Sequence, residues 1–260
     1  MTTVDDLGDP VELPGRAHRV VSLVPSLTEA VAASGLNVLI GATRYCTHPP
    51  GLAVERVGGT KNPDVPRIIE LAPDLVLANE EENRAPDLAA LRAAGVSVWV
   101  TRISDLPEAL ASLDRMITVA CGLPRPGWLE DAAAAWSRPA DLAATPRRAI
   151  VPIWRRPWMV LGRDTFAGDL LARLGVQNLY AGHEERYPRI DLAQLRQSGA
   201  DLVVLPDEPY RFTADDGPEA FPGVSAALVS GRHLTWYGPC LAEARTVLAA
   251  QLAKPVPGDR

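Results

Sequence analysis

Two α/β lobes in tandem, each a parallel sheet layered with helices, are predicted for this 260-residue chain by three observations. The stretch Leu71 to Asn83, LAPDLVLANEEEN, is echoed by Ser198 to Tyr210, SGADLVVLPDEPY. Asp74 and Asp201 lie 127 positions apart, and a second pair of strand-like runs, starting at Val20 and Ala149, is offset by 129, so the plan is duplicated. The branched apolar runs do not alternate with polar residues, which fits strands covered on both faces. Helical patterns separate them, the β-α alternation of a doubly wound layer. The predicted division is an N-terminal lobe over 1–122, a connecting helical segment over 123–147 and a C-terminal lobe over 148–260.

The elements follow in order. Arg19 to Pro25 reads as the first strand, closed by Pro25. Ser26 is placed to N-cap the next helix, with Glu29 at the capping-box spacing, and Gly35 ends that helix. Asn37 to Ala42 is a second strand, delivering a loop, TRYCTHPP, that carries Tyr45 and His48 and cannot continue as helix past its prolines. A polar turn from Gly58 to Pro63 precedes a short helix and the strand Asp74 to Ala78. A helix over Ala85 to Ala94, a strand over Val96 to Val100 and a helix over Leu106 to Cys121 complete the first lobe. Trp128 to Trp136 is helical and limited by Pro139 and Pro146. The second lobe reads as a strand Ala149 to Trp154, a loop Arg155 to Asp164, helices Thr165 to Leu174 and Leu192 to Gln197, strands Asp201 to Leu205 and His233 to Tyr237, and a closing helix Leu241 to Leu252.

Composition narrows the function. A hydrophobic content of 47%, a charged content of 22% and a net charge of −6 describe an ordinary globular chain with nothing to favour nucleic acid or an anionic membrane. No apolar run approaches the roughly 18 residues of a membrane span, so no membrane insertion is expected. The first residues, MTTVDDLGDPVELPGR, lack the basic and apolar regions of a signal peptide, and no cysteine near them accepts a lipid. A cytoplasmic location is therefore expected, with export the alternative if a leader is missing. Cys46, Cys121 and Cys240 are widely scattered and form neither a disulfide framework nor a CxxC metal site. No nucleophile elbow, phosphate loop or dinucleotide fingerprint occurs, and the chain is not expected to be an enzyme.

In open parallel sheets, ligands bind beyond the carboxyl ends of the strands. Aromatic residues make up only 5% of the chain, yet Trp154, Trp158, Tyr210, Phe212, Trp236 and Tyr237 cluster in segments after second-lobe strands. Flat aromatics suit a planar or conjugated ligand, and Arg155 can pair with its carboxylates. In the first lobe, Glu80, Glu81 and Glu82 with Asn83 can hold a hard cation or a ligand's amides, or start a helix. No spacing links the histidines into a metal site, and His48 is the first choice of metal ligand should the compound carry an open axial position.

The motif RVVSLVPSLTEAVAASG with its Ser26 and Glu29, the loop from Gly41 to Gly51 with its proline pair, and RIIELAPDLVLANEEEN closely resemble the helical-backbone metal receptors, class III substrate-binding proteins of ABC importers. The resemblance covers most of the chain and is nearest to the cobalamin-binding branch. It implies two Rossmann-like lobes joined by a connecting helix, a shallow ligand cleft and no tightly bound cofactor. The implied ligand is a small-molecule metal chelate, cobalamin or a ferric siderophore, and the implied partner an ABC permease. Where the family's cobalamin binders carry tryptophans flanking the corrin, this chain has Thr60 and Asn79. The family's permease-docking Glu is replaced by Pro66. These departures leave open a cytoplasmic chelate or tetrapyrrole carrier, or a repurposed enzyme on the same scaffold, working without a transporter.

Overall fold

The computed structural model describes residues 2–137 and 146–256. The chain forms two compact units: unit 1 comprises Met1–Ile103, Pro107–Asp131 and Tyr237–Pro239, and unit 2 comprises Ser104–Leu106, Ala132–Trp236 and Cys240–Arg260. Of the segment expected to connect lobes over 123–147, residues 138–145, Pro139 among them, lie outside the described residues. The part that is described is largely helix.

Unit 1 opens with a hairpin of β1 (Thr2–Val4) and β2 (Pro10–Glu12). Then come β3 (Val20–Ser22), α1 (Pro25–Gly35), β4 (Leu39–Ala42), β5 (Glu55–Arg56), α2 (Val65–Glu70), β6 (Leu75–Asn79), α3 (Ala85–Ala93), β7 (Val98–Thr101), α4 (Leu106–Arg115, its first residue counted with unit 2), a π-turn over Met116–Ala120, and α5 (Gly127–Ser137), which passes into unit 2 at Ala132. Its five-stranded sheet runs β5-β4-β3-β6-β7, entirely parallel. Of the strands in this sheet β3 comes first in the chain and has its successors on both sides, so the order reverses between β3 and β6. Every residue of β3, β6 and β7 is buried. Val21, Leu23, Val76 and Val98 pack with Ile68 of α2 and Leu88 and Leu91 of α3. Each fully buried branched side chain contributes about 1.5–3 kcal/mol.

Unit 2 contains β8 (Arg147–Ile150), β9 (Pro152–Trp154), β10 (Met159–Val160), α6 (Phe166–Arg173), β11 (Val176–Asn178), α7 (Leu192–Gln197), β12 (Leu202–Pro206), β13 (Ser225–Val229), α8 (Gly231–Thr235) and α9 (Leu241–Leu252). The parallel sheet runs β11-β8-β12-β13, reversing between β8 and β12. Beyond β8 the chain forms a small antiparallel hairpin of β9 and β10, with Arg155–Trp158 at its turn.

The echoed motif explains itself here. Asp74 stands just before β6, and its Oδ2 accepts the amides of His18 and Arg19 at 2.8 and 3.0 Å; its own amide donates to the Arg19 carbonyl at 2.8 Å. Asp201 does the same before β12, accepting from the Arg148 amide at 3.2 Å and donating to the Arg148 carbonyl at 2.8 Å. Both carboxylates pin the entry of the neighbouring parallel strand and so fix its register.

Both chain ends also protect a sheet edge. The turn of the β1–β2 hairpin covers β7: the Asp6 amide donates to the Val100 carbonyl, and the Asp5 carboxylate accepts the Val100 amide. At the far edge of the other sheet, Val256 exchanges two backbone hydrogen bonds with Ala226 of β13, at 2.7 and 2.9 Å. Unpaired edge groups would otherwise be open to another chain.

Several expectations are corrected. Pro25 opens α1 rather than closing a strand, since proline suits the first helical position, and Ser26 consequently lies inside the first turn instead of capping it. His233 to Tyr237 is not a strand. The sheet position goes to Ser225–Val229, and His233 sits in α8. The run from Ala149 to Trp154 is broken into β8 and β9, and the helix from Leu106 ends in the π-turn. Among the described residues no helix is long and apolar enough to cross a membrane.

Candidate functional site

The reversal in each sheet marks where a crevice opens beyond the strands, and the predicted residues fall at these ends. In unit 1 they are mostly turned inward. Thr28 of α1 donates to or shares its hydroxyl with Ser22 Oγ at 2.8 Å, the Val24 carbonyl at 2.9 Å and Cys46 Sγ at 3.0 Å, while Thr43 Oγ1 lies 3.2 Å from the same sulfur. Burial raises the Cys46 pKa against these hydroxyls, so the thiol is inert packing.

Asn79 closes β6. Its Nδ2 donates to Thr101 O and Oγ1 at 3.0 and 3.2 Å, and its Oδ1 accepts the amides of Glu81 and Glu82. Asn83 continues the network, accepting the Asn79 amide and donating to the Thr60 carbonyl at 2.9 Å. The amide of Asn79, read as a ligand contact, is therefore engaged by its own turn. Ser26, Thr60 and Asn79 are all buried. The three glutamates sit on that turn and do not start a helix, since α3 begins later with Arg84 at its N-cap. No group of three His, Cys, Asp or Glu among the described residues gathers to hold a metal ion. Glu80 and Tyr45 do reach the surface; Tyr45 is 57% exposed, with the Arg44 guanidinium 5.5 Å from its ring centre. His48 is half-buried, its Nδ1 3.2 Å from the Thr47 hydroxyl. Pro66 is exposed in the first turn of α2.

Unit 2 presents an aromatic shelf instead. The sheet reversal brings the hairpin after β8 beside the loop after β12, and Trp154 meets Tyr210 edge to face at 5.7 Å. Tyr210 leans on Phe212 at 4.7 Å, Phe212 stacks on Trp158 at 6.1 Å with ring planes 8° apart, and Trp158 abuts Phe221 at 5.3 Å. Burial grades along this ladder: Phe212 and Phe221 belong to the core, Trp158 and Tyr210 are half-buried, and Trp154 is 43% exposed. Core packing thus locks the inner rings, and the outer ones are held ready to stack at small entropic cost.

Arg155 is not available in the way the sequence suggested. Its guanidinium lies 5.3 Å from the Trp158 ring centre and is bridged to Asp216 through Nη1 and to Glu219 through Nη2, the latter at 2.6 Å. The Tyr210 hydroxyl donates to Asp216 at 2.6 Å and, with Arg155 behind it, holds the Asp216 carboxyl below its ordinary value. Burial alone would raise Glu219, but hydrogen bonds from the Gly217 amide and Arg155 outweigh it and lower the group.

A second cluster lies beyond β12 and β13. Asp207 Oδ1 accepts the Gly231 amide at 2.6 Å, and Gly231 is required there because a Cβ would stand 2.4 Å from Glu208 Cγ and 2.7 Å from the Glu208 backbone. Burial and the neighbouring Asp207 push the Glu208 carboxyl up to about 7, opposed by Arg232 and a hydrogen bond from Trp236. Arg232 lies 5.9 Å from the Trp236 ring centre and 3.6 Å from Glu243, which also meets His233 at 3.1 Å. Trp236 is half-buried, whereas Tyr237 is buried and offers little surface. Sequence reasoning missed Asp216, Glu219 and Glu208: Arg155 and Asp216 are 61 positions apart, and nothing local announces the pairing.

The family model described as periplasmic binding protein matches residues 20–216. A vitamin B12-binding protein of Vibrio cholerae is 27% identical over 190 residues, 70% of this chain and 68% of its own length. One from Yersinia pestis is 24% identical over 202 residues, 74% and 71% of the two chains. Among solved structures, the periplasmic vitamin B12 binding protein of Vibrio cholerae superposes with a TM-score of 0.71 at 19% identity, covering 91% of this chain and 97% of that one. A periplasmic heme-binding protein from Roseiflexus sp. RS-1 gives 0.74 at 22% identity, covering 90% and 97%. These likenesses bear out the α/β fold class with parallel central sheets. They also overturn the cytoplasmic location read from the first residues, because the matched proteins are periplasmic and the match points to export.

Proposed function

Because this chain belongs to the periplasmic binding protein family, we propose that it is a substrate-binding protein of ABC-importer type whose ligand is a metal chelate, cobalamin or a ferric siderophore. One observation carries this reading: a graded aromatic ladder ends in the exposed Trp154 at the point where the unit 2 sheet reverses. The family consists of binding proteins, and the proposed role is capture and delivery with the ligand unchanged. An ABC permease is the proposed partner, and no tightly bound cofactor is required.

Trp154, Trp158, Tyr210 and Trp236 of unit 2 are proposed to stack on the chelate, and Tyr45, Glu80 and His48 of unit 1 to contact it. A chelate brings most of its own metal ligands, so a single histidine suffices, and His48 is proposed for an open axial position. Ser26, Thr60, Asn79 and Tyr237 are buried and are not proposed to touch the chelate.

Titration with cyanocobalamin, cobinamide, haem and ferric hydroxamates, read by tryptophan fluorescence, tests the proposal. Saturable quenching at micromolar or lower concentration by at least one compound is the expected result. Absence of quenching by all of them would defeat it.

A further inference from the structure

We propose that the unit 2 shelf selects chelates by charge: it accepts those with no net negative charge, whose periphery carries neutral groups such as amides, and rejects those bearing free carboxylates or other anionic arms. This rests on the chelate-binding reading above and adds the chemical class of the ligand.

Arg155, 5.3 Å from the Trp158 ring centre, is the cation against the shelf. Both Nη atoms of Arg155 are already held, one by Asp216 and one by Glu219. Asp216 is held in turn by the Tyr210 hydroxyl at 2.6 Å, so a ligand carboxylate recruiting Arg155 would have to displace two carboxylates and disturb a ring of the shelf. The exchange trades one charge-assisted pair for another and leaves an anion unpaired, which is where rejection arises. Beside Trp236 the pattern repeats, for Arg232 faces Glu243, and its charge also acts on Glu208. Asp207 and Glu208 add two adjacent acids beyond β12. Arg156 and Arg211 are exposed, where solvent screens any pair they form. The aromatic faces thus remain open while the nearby buried-side cations are neutralised, an arrangement suited to a flat, uncharged or cationic face.

Matched pairs of chelates test this on the whole chain: cyanocobalamin against its derivative with side-chain amides hydrolysed to carboxylates, and haem against haem dimethyl ester. The neutral member of a pair is expected to bind at least about tenfold more tightly at low salt. The double variant Asp216→Asn with Glu219→Gln, which releases Arg155, is expected to narrow that ratio about tenfold by strengthening the anionic member. Should that variant not fold, the wild-type ratio measured from about 50 to about 500 mM salt serves instead, and it should shrink as charges are screened. An anionic member that binds as tightly as its neutral partner overturns the selection and leaves chelate binding standing. A ratio insensitive to both the variant and salt also overturns it. No quenching by either member of any pair, together with none by the ferric hydroxamates, removes the underlying reading as well.

Discussion

Asn79 and Trp154 hold comparable places, each in the segment that leaves the sheet where its strand order reverses, yet they are put to opposite use. Both ends of the Asn79 amide are bound within unit 1, to Thr101 and to the amides of Glu81 and Glu82. Trp154 is fixed on one side by Tyr210 and leaves 43% of its surface to solvent. One topology therefore supplies a self-satisfied polar rim in unit 1 and a sticky aromatic rim in unit 2. The difference teaches that position at a switch point nominates a site, and that the state of the side chains there decides whether anything can bind.

The comparison breaks most visibly through stability. Asn79→Ala removes two donor and two acceptor interactions in a buried setting and is expected to cost about 2–4 kcal/mol, roughly 5–10 °C in Tm for a chain of this size. Chelate affinity, measured where the variant is folded, should stay within about twofold. A large affinity loss with an unchanged melting curve would place Asn79 on the ligand and erase the contrast.

Trp154→Ala should show the reverse pattern. Loss of the exposed ring is expected to weaken chelate binding about ten- to a hundredfold, while Tm moves by no more than about 2 °C. Isothermal titration and thermal unfolding on the same preparation separate the two effects. A strongly destabilised variant would make Trp154 a core residue like Phe212.

Glu208→Gln probes the rim from a different side. The folded-state pKa of Glu208, about 7, lies above the ordinary carboxylate value, so the folded state holds a proton that the unfolded chain has released between about pH 4.5 and 7. Its contribution to stability is therefore intact at low pH and is lost as pH rises through 7. The half-buried group carries a penalty of about 1–2 kcal/mol at pH 8, which the neutral amide removes. The variant should melt above the wild type at pH 8 and lose that advantage by pH 5. A constant difference across this range would show that ionisation of Glu208 is not coupled to folding. A rim whose stability improves when a charge is removed contrasts directly with Asn79, whose removal can only weaken unit 1.

The fold was legible because its signals are local. Unalternating runs around Val76 and Val203 mark strands covered on both faces, and the Asp-Leu-Val echo carries the aspartates that pin β3 and β8. The covered edges were not legible: the MTTVDDLGDP segment reads only as lacking the regions of a signal peptide, and the pairing of Asp5 and Asp6 with β7 gives it a role. The strand Ser225–Val229 was overlooked in favour of His233 to Tyr237, because a short Ala-rich run and a short aromatic run are equally weak signals and tertiary pairing chose between them. At the site, Trp154, Trp158 and Tyr210 were legible from their density after strands. The engagement of Arg155 by Asp216 and Glu219 was not, because chain separation of that size leaves no periodic trace.

The smallest effect expected is at Tyr45, and it bears most finely on the comparison. Tyr45 is the exposed aromatic among the unit 1 residues proposed to meet the chelate, and Arg44 lies 5.5 Å from its ring centre. Its ring is exposed and not built into a core as the inner rings of the unit 2 ladder are, so binding must also order an exposed side chain, at a cost of about 0.5–1.5 kcal/mol that offsets most of the stacking gain. Tyr45→Ala should accordingly weaken chelate binding about two- to threefold with no shift in Tm, and Tyr45→Phe should leave both unchanged. A loss equal to that of Trp154→Ala would mean that an unsupported ring on unit 1 grips as well as a buttressed one, and the buttressing by Phe212 and Trp158 would then explain nothing about affinity.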